Sequence, residues 1–297
     1  MNSFWPGIIM RYVDVIIAMR EWNAARVALL DSAEQFSELF SSCDHWAMAT
    51  PDWTVADTAA HVTAIALWYT ALARPGEAPY PYPWDAVSER LRVTTVDTVF
   101  KLNDEVIQRF TERDPRVLAQ QLHAHVSSML TTSAELDPDL PVGWLGGSRI
   151  PLAAVFAHLT NELQIHGRDI ARAVGRRWVT PPSYAAQFFG IFVAGVTRHG
   201  TGRLLYREGG DSRARVTVQF TSRYSEPLTM TLDHGEVALA DGAAQVDVRI
   251  WSDPVMLNLM LFGRVTRAHA VLTGKVRVSG RRPWLLPAFL RTVRFPS

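Results

Sequence analysis

Residues 158–175 read HLTNELQIHGRDIARAVG, a helical apolar repeat that carries polar groups at helical spacing. Glu162 and His166 stand four positions apart, so in a helix they lie one above the other on one face. At about 100° per residue, His166 falls roughly 40° and Glu162 roughly 80° from the centre of the apolar stripe. A carboxylate at the edge of a core is costly unless it is paired or binds a metal. His158 lies four residues before Glu162 on the same helix but is rotated further toward solvent. We expect it either to replace one of the metal ligands or to hydrogen-bond to one of them.

A third ligand is available about a hundred residues upstream. Residues 53–62 read WTVADTAAHV, a second helical segment, and they contain His61. A Glu and a His four residues apart are also common on ordinary helix surfaces, so the pair alone does not establish a metal site. Two histidines and one carboxylate leave one coordination position open, which is typical of catalytic rather than structural metal sites.

Two aspartates lie close to the candidate ligands along their helices. Asp57 precedes His61 by one turn and Asp169 follows His166 by three residues, so each could accept a ring N–H and orient its histidine. Each has an alternative role, since Asp57 can cap its own helix with Thr54 and Asp169 can pair with a neighbouring arginine.

Composition narrows the class of protein. The 297-residue chain is 48% hydrophobic and 20% charged, with a formal net charge of +1, which favours a globular protein and gives no electrostatic case for nucleic acid. Arg11 and Asp14 interrupt the apolar N-terminus before it could span a membrane, so we expect a cytoplasmic monomer or homodimer that binds small molecules. The single cysteine, Cys43, excludes an internal disulfide and a multi-thiolate zinc site. Any thiol used in chemistry would therefore come from outside the chain.

Apolar spacing divides the chain into two parts. The first part has four helical stretches separated by loops rich in Pro and Gly, and Asp114-Pro115 offers a break within the third. They cover about residues 8–41, 53–73, 85–134 and 151–175. From about 182 a further helix leads into alternating runs typical of an antiparallel sheet. The sequence predicts an α+β chain with a helical bundle at 1–178 and a smaller α+β domain at 179–297.

The first part resembles a known family. WTVADTAAHV, followed about a hundred residues later by ELQIHGRDIARAVG, is similar to the N-terminal domain of mycothiol-dependent maleylpyruvate isomerases, which are DinB-like four-helix bundles. The resemblance implies that His61, Glu162 and His166 bind zinc or a similar divalent metal, and that mycothiol is the thiol cosubstrate.

The second part carries its own resemblance. Residues 246–280, VDVRIWSDPVMLNLMLFGRVTRAHAVLTGKVRVSG, look like the end of a sterol-carrier-protein-type domain. In this setting such a domain is expected to close the active-site cleft and contact substrate. Arg264 is the candidate for an anionic substrate group, with Arg267, Arg277 and Arg281 as rivals. A proline-rich loop contains three aromatic residues, Tyr80, Tyr82 and Trp84. Their rings could contact an organic substrate, or the loop could pack against the rest of the protein.

These features lead to three functional hypotheses. The first is a metal-dependent enzyme that activates mycothiol for S-transfer to a small organic electrophile. The second is a mycothiol-dependent cis-trans isomerase of the maleylpyruvate type, which shares the thiol-activation step. The third is a non-catalytic binding protein for an apolar ligand, in which the metal is structural.

Overall fold

Helices dominate the first part of the molecule. The computed structural model describes residues 17–74, 76, 79–205, 215–240 and 244–294. The helices here are α1 (Met19–Ser41), α2 (Val55–Leu72), α3 (Ser88–Val93), α4 (Val99–Arg109), α5 (Pro115–Thr132) and α6 (Leu152–Ala173). Both α1 and α2 pack against α5 and α6, so these four long helices form the predicted bundle, while α4 lies against α2. The start predicted for the first helix, near residue 8, lies outside the described residues.

Several helix ends follow the local sequence signals. Thr54 accepts a hydrogen bond from the Asp57 backbone N–H at 3.1 Å, and Asp57 Oδ2 accepts one from the Thr54 backbone N–H at 3.1 Å. Asp114 caps α5 and Pro115 occupies its first turn, which confirms the predicted break. Gly175 adopts a left-handed φ of 66° just beyond α6.

The third predicted stretch has a further break that the spacing does not reveal. It separates α3 from α4 at residues 94–98, where the backbone N–H of Thr95 donates to Thr98 Oγ1 at 2.9 Å. The chain reads VTTV at 93–96, and β-branched side chains are restricted against the preceding helical turn. The expectation of continuous helix from 85 to the break at Asp114-Pro115 is therefore wrong at residues 94–98.

The second part combines helices with a sheet. The helices are α7 (Pro182–Gln187), a π-helical segment (Phe188–Val193), α8 (Ala194–His199), α9 (Pro254–Leu261), α10 (Arg267–Leu272) and α11 (Leu286–Thr292). A short hairpin of β1 (Pro141–Gly143) and β2 (Arg149–Pro151) precedes α6, and the sheet contains β3 (Arg215–Thr221), β4 (Leu228–Asp233), β5 (Glu236–Leu239), β6 (Val248–Ser252) and β7 (Val276–Ser279). The α+β class is confirmed, as is the order strand, helix, strand within 246–280. The likeness to a sterol-carrier-type domain stays a prediction.

The sheet is mixed rather than wholly antiparallel. Its order is β5-β4-β3-β6-β7, and β3 pairs with β6 in parallel while the other pairs are antiparallel. After β5 the chain must pass two strands before β6 can lie beside β3. Alternation of apolar residues reports which face of a strand is buried and not the direction of its neighbour, so the antiparallel prediction is wrong for this pair.

Helix α6 is buried on nearly its whole surface. It contacts α1 and α2 on the bundle side, and the π-helical segment and α7 cover it from the second part. His158, expected to turn toward solvent, is only 6% exposed. That expectation is wrong because a helix covered on several sides has no solvent face.

A buried asparagine pair links the two parts. Asn258 of α9 donates from Nδ2 to Asn161 Oδ1 of α6 and to the Ala185 carbonyl of α7, both at 3.0 Å. Both asparagines are nearly inaccessible to solvent, so these hydrogen bonds fix α9 against α6. Within the described residues, no helix has the combination of length and apolar character needed to cross a membrane.

Close packing of α8 on the start of α6 gives a test of this arrangement. A Cβ at Gly195 would lie 2.5 Å from Cδ and 2.7 Å from Cγ of Pro151, whose ring is stiff. We expect Gly195→Ala to lower the free energy of unfolding by about 1–3 kcal/mol in urea titrations, because the overpacking outweighs a helix-propensity gain of about 1 kcal/mol.

The matched control is Gly190→Ala in the same helical run. A Cβ there meets the Cβ of Ser225 at an ordinary 3.7 Å, so stability should be unchanged or slightly higher. An equal loss in both variants would contradict the proposed packing contact.

Candidate metal centre

Three ligand-type side chains converge between α2 and α6. Nε2 of His61 lies 3.6 Å and Nε2 of His166 lies 3.4 Å from Oε2 of Glu162. One ligand atom from each of the three lies within 4.8 Å of the others. Bonds of about 2.1 Å to a tetrahedral ion would place neighbouring ligand atoms about 3.4 Å apart, close to the observed separations. The donor set of two imidazoles and one carboxylate therefore fits a divalent metal such as zinc.

The electrostatics of the three groups are coupled. Burial opposes the charged form of Glu162, yet His166 and His61 outweigh it and hold the pKa of this carboxyl well below its usual range. Burial lowers the pKa of His61. For His166 burial acts in the same direction, but Asp169 and Glu162 prevail and raise its pKa. A buried carboxylate is thus kept ionised by the groups that would bind a metal with it.

Asp169 takes the predicted place behind His166. Its Oδ2 lies 3.5 Å from Nδ1 of His166, on the side of the ring away from Glu162. The same carboxylate accepts hydrogen bonds from Arg264, at 3.1 Å from Nε and 2.6 Å from Nη2. Asp169 is therefore placed to orient the His166 ring from the side opposite the cavity.

Asp57 is engaged elsewhere. Its Oδ2 accepts hydrogen bonds from the backbone N–H and the hydroxyl of Thr54, and its Oδ1 accepts one from Nε of Arg113 at 2.8 Å. Burial opposes its charge, but Thr54 and Arg113 lower the pKa of this carboxyl. Of the two roles that the sequence allows for Asp57, these contacts favour the helix cap.

His158 stands beside the triad. Its Nε2 lies 3.7 Å from Oε1 of Glu162, and its Nδ1 lies 3.0 Å from the hydroxyl of Tyr69. The indole N–H of Trp144 donates to that hydroxyl at 3.0 Å. Neither Tyr69 nor Trp144 is among the candidate residues predicted from the sequence. Helical spacing could have indicated Tyr69, because it follows His61 by eight residues on α2. No spacing indicates Trp144, which enters from the turn between β1 and β2.

The three ligand candidates open onto a cavity of about 410 Å³. Its wall is rich in aromatic side chains from both parts of the molecule, namely Trp53, Trp68, Tyr69, Trp84, Phe100, Trp144 and Phe262. The size falls within the range usual for small-molecule sites. The charged Arg264 lies in the same wall, at the turn that follows α9.

The aromatic loop contributes only in part. Trp84 lines the cavity, stacks on Trp68 at 4.8 Å between ring centroids and donates its N–H to the Ala64 carbonyl. Tyr80 packs edge-on against Trp68 behind this pair. Tyr82 is 61% exposed and directs its hydroxyl to the Arg109 carbonyl, so it faces away from the cavity. The chain reverses between Pro81 and Trp84, so Tyr82 lies outside the residues that line the cavity, and its contact with substrate stays a prediction.

The rival arginines lie elsewhere in the second part. Arg277 packs over the ring of Trp251, and Arg281 pairs with Asp247 at 3.1 Å. Among the described residues, Arg264 is the arginine in the wall of the cavity.

The single cysteine lies in the first part of the chain. Cys43 hydrogen-bonds the Phe40 carbonyl at 3.5 Å, and burial raises the pKa of its thiol.

Comparison with known proteins identifies the helical part. Residues 24–171 match the family model described as the mycothiol maleylpyruvate isomerase N-terminal domain. The chain belongs to this family. The match covers α2 and α6 as far as residue 171, and therefore includes all three candidate ligands, His61, Glu162 and His166.

Similar solved structures include a crystal structure of the mycothiol-dependent maleylpyruvate isomerase, at 14% identity and a TM-score of 0.49, covering 87% of this chain and 92% of that one. A histidine-to-alanine mutant of that enzyme gives 15% identity with the same coverage and TM-score. The sec-alkylsulfatase Pisa1 from Pseudomonas sp. is 15% identical over 80% of this chain and 33% of that one, with a TM-score of 0.28. No curated protein matches the chain.

The triad predicts a measurable metal affinity. Full-length protein should bind one equivalent of zinc, and His166→Ala should weaken binding by about 100-fold or more, because one of three protein ligands and the link to Asp169 are lost. Competition titration with a chromophoric chelator measures the affinity. The control is His234→Ala, an exposed histidine on another surface, which should bind zinc like the parent. Undiminished zinc binding by His166→Ala would remove this residue from the site.

Proposed function

We propose that the protein is a metal-dependent enzyme that activates mycothiol for attack on a small organic electrophile. The observation that carries the proposal is the convergence of His61, Glu162 and His166 at the wall of a cavity of about 410 Å³. When bound by these residues, a divalent metal such as zinc would lower the pKa of a coordinated thiol and so supply a thiolate near neutral pH.

The chain's own residues would prepare the site for this chemistry. Asp169 holds the His166 ring with Nε2 directed at the cavity, and Arg264 holds Asp169. Arg264 also lies in the cavity wall, so we propose that it attracts an anionic group of the substrate. The surrounding tryptophans would replace water with apolar surface around a bound substrate, which would strengthen electrostatic interactions at the reacting atoms.

The thiol would come from outside the chain. Cys43 is partly buried, its hydrogen bond goes to the Phe40 carbonyl, and burial raises its pKa, all of which disfavour an internal thiolate nucleophile. Membership of a family described by mycothiol supports that thiol as the cosubstrate. Support for zinc or a related divalent metal comes from the donor set of two imidazoles and one carboxylate described above.

Between the two reaction types, family membership favours isomerisation, and we place it ahead of the S-transfer that the sequence analysis put first. The thiolate electron pair would form a C–S bond to a conjugated cis double bond, and the π pair would move onto the conjugated carbonyl oxygen. Rotation about the new single bond, return of the pair and departure of the thiolate would give the trans product. The thiol is regenerated and no oxidant or reductant is needed.

S-transfer remains the second candidate. Here the thiolate would displace a leaving group and stay on the substrate. The aromatic character of the cavity wall favours it, since a small dicarboxylate such as maleylpyruvate needs cationic rather than aromatic contacts. We further propose a domain boundary near 178/179, with the second part closing the cavity through Phe262 and Arg264.

Product mass separates the two reactions. We expect zinc-loaded protein with mycothiol to convert maleylpyruvate into a product of unchanged mass and altered absorbance. A product that carries the thiol in place of the leaving group, formed from a substrate that has such a group, would instead support S-transfer. S-methylated mycothiol, which lacks the nucleophile, and the His166→Ala protein are the controls. Turnover that is equal with and without a free thiol would overturn the proposal.

Metal removal separates an enzyme from a binding protein with a structural metal. The bundle has a large apolar core independent of the triad, so chelator-treated protein should keep its helical circular dichroism and lose turnover. Added zinc should restore activity. Unfolding of the stripped protein, with no thiol-dependent reaction before stripping, would support the binding-protein hypothesis.

A further inference from the structure

His158 lines the cavity but stands outside the proposed triad. It is buried, as are its partners Tyr69, which is fully inaccessible, and Trp144. The three side chains form a row that runs from the Trp144 indole through the Tyr69 hydroxyl and the His158 ring to Oε1 of Glu162. The row therefore ends on the carboxylate oxygen that is not shared by His61 and His166.

The chemistry of this row fixes where the imidazole carries its hydrogen. An indole N–H can only donate, so the Tyr69 oxygen accepts the hydrogen bond from Trp144. The single hydroxyl hydrogen of Tyr69 is then directed to Nδ1 of His158, 3.0 Å away. If Nδ1 carried a hydrogen itself, the hydroxyl hydrogen of a fully buried tyrosine would lose this acceptor. Nδ1 must accept, and the ring hydrogen belongs on Nε2.

We infer that His158 is a positioning residue, held by Tyr69 and Trp144 in the tautomer with hydrogen on Nε2, which it directs at Oε1 of Glu162 rather than at a metal. Glu162 thereby keeps Oε2, the oxygen nearest to His61 and His166, for the ion. The ligand set then stays at three and one coordination position stays open for a thiol. The inference rests on the proposed function only for this last consequence.

The tautomer can be observed directly in the metal-free full-length protein. After labelling with ¹⁵N-histidine, long-range ¹H–¹⁵N spectra at about pH 8, well above the ordinary pKa of histidine, distinguish protonated from unprotonated ring nitrogens. The His158→Gln protein assigns the signal. We expect unprotonated Nδ1 and protonated Nε2 in the parent, and a mixture of tautomers in Tyr69→Phe. Tyr184→Phe, whose hydroxyl binds Asp31 instead, should leave the spectrum unchanged.

Metal affinity provides the second readout. Glutamine places an amide nitrogen near the position of histidine Nε2, whereas asparagine places it near Nδ1. Both variants carry the same amide group, but only glutamine can donate a hydrogen bond toward Oε1 of Glu162. We expect His158→Gln to bind zinc within about threefold of the parent and His158→Asn to bind about tenfold or more weakly. Circular dichroism melting confirms that each variant is folded.

Two results would overturn the inference. One is a hydrogen on Nδ1 of His158 in the metal-free protein. The other is a change of the His158 Nε2 signal to a metal-bound form when zinc is added, together with equal losses of affinity in both variants. Failure of the protein to turn over any substrate would count against the proposed function and would leave the tautomer measurement intact.

Discussion

The carboxylate of Glu162 is the group around which the rest of this molecule is arranged. It is 9% exposed in the middle of a buried helix, where an uncompensated negative charge would cost several kcal/mol. Histidine rings from α2 and α6 surround it, and both rings from α6 have a polar partner on their other nitrogen. His166 is backed by Asp169, and His158 by Tyr69. The charge is therefore tolerated because an ordered set of donors replaces the water that burial removes.

This constraint reaches into the second part of the chain. Asp169 would be a second buried carboxylate, with the His166 ring beside it but no positively charged arginine, if Arg264 did not pair with it, and Arg264 is supplied by the turn after α9. The position of α9 depends in turn on the hydrogen bonds of Asn258 to α6 and α7. The two parts of the protein thus meet through polar contacts that lead back to Glu162. Residues of both parts accordingly line the one cavity beside this carboxylate.

Local rules account for what could be predicted from the sequence. The i,i+4 spacing of Glu162 and His166, the Thr54 cap and the alternation in the strands each depend on residues close together in the chain. His61 lies far from this pair in the chain, and the family resemblance is what ties it to the same site. The partners of His158 could not be predicted in this way, because Trp144 enters from a turn whose path is set by tertiary packing. Strand direction and the burial of α6 on all sides also depend on contacts between distant segments, which periodicity does not encode.

Arg264 illustrates how one residue can serve both the fold and the chemistry. From the sequence it is the candidate for an anionic substrate group, whereas in the structure its guanidinium is paired with Asp169 and the Phe262 carbonyl. Of the five N–H groups of an arginine, three make these hydrogen bonds, which leaves two, one on each terminal nitrogen. Because Arg264 lies in the cavity wall, those two N–H groups remain as donors for the anionic substrate group proposed above while Asp169 stays paired. Holding His166 in place and attracting an anionic substrate are therefore compatible roles, and the pairing with Asp169 holds the guanidinium ready for the second.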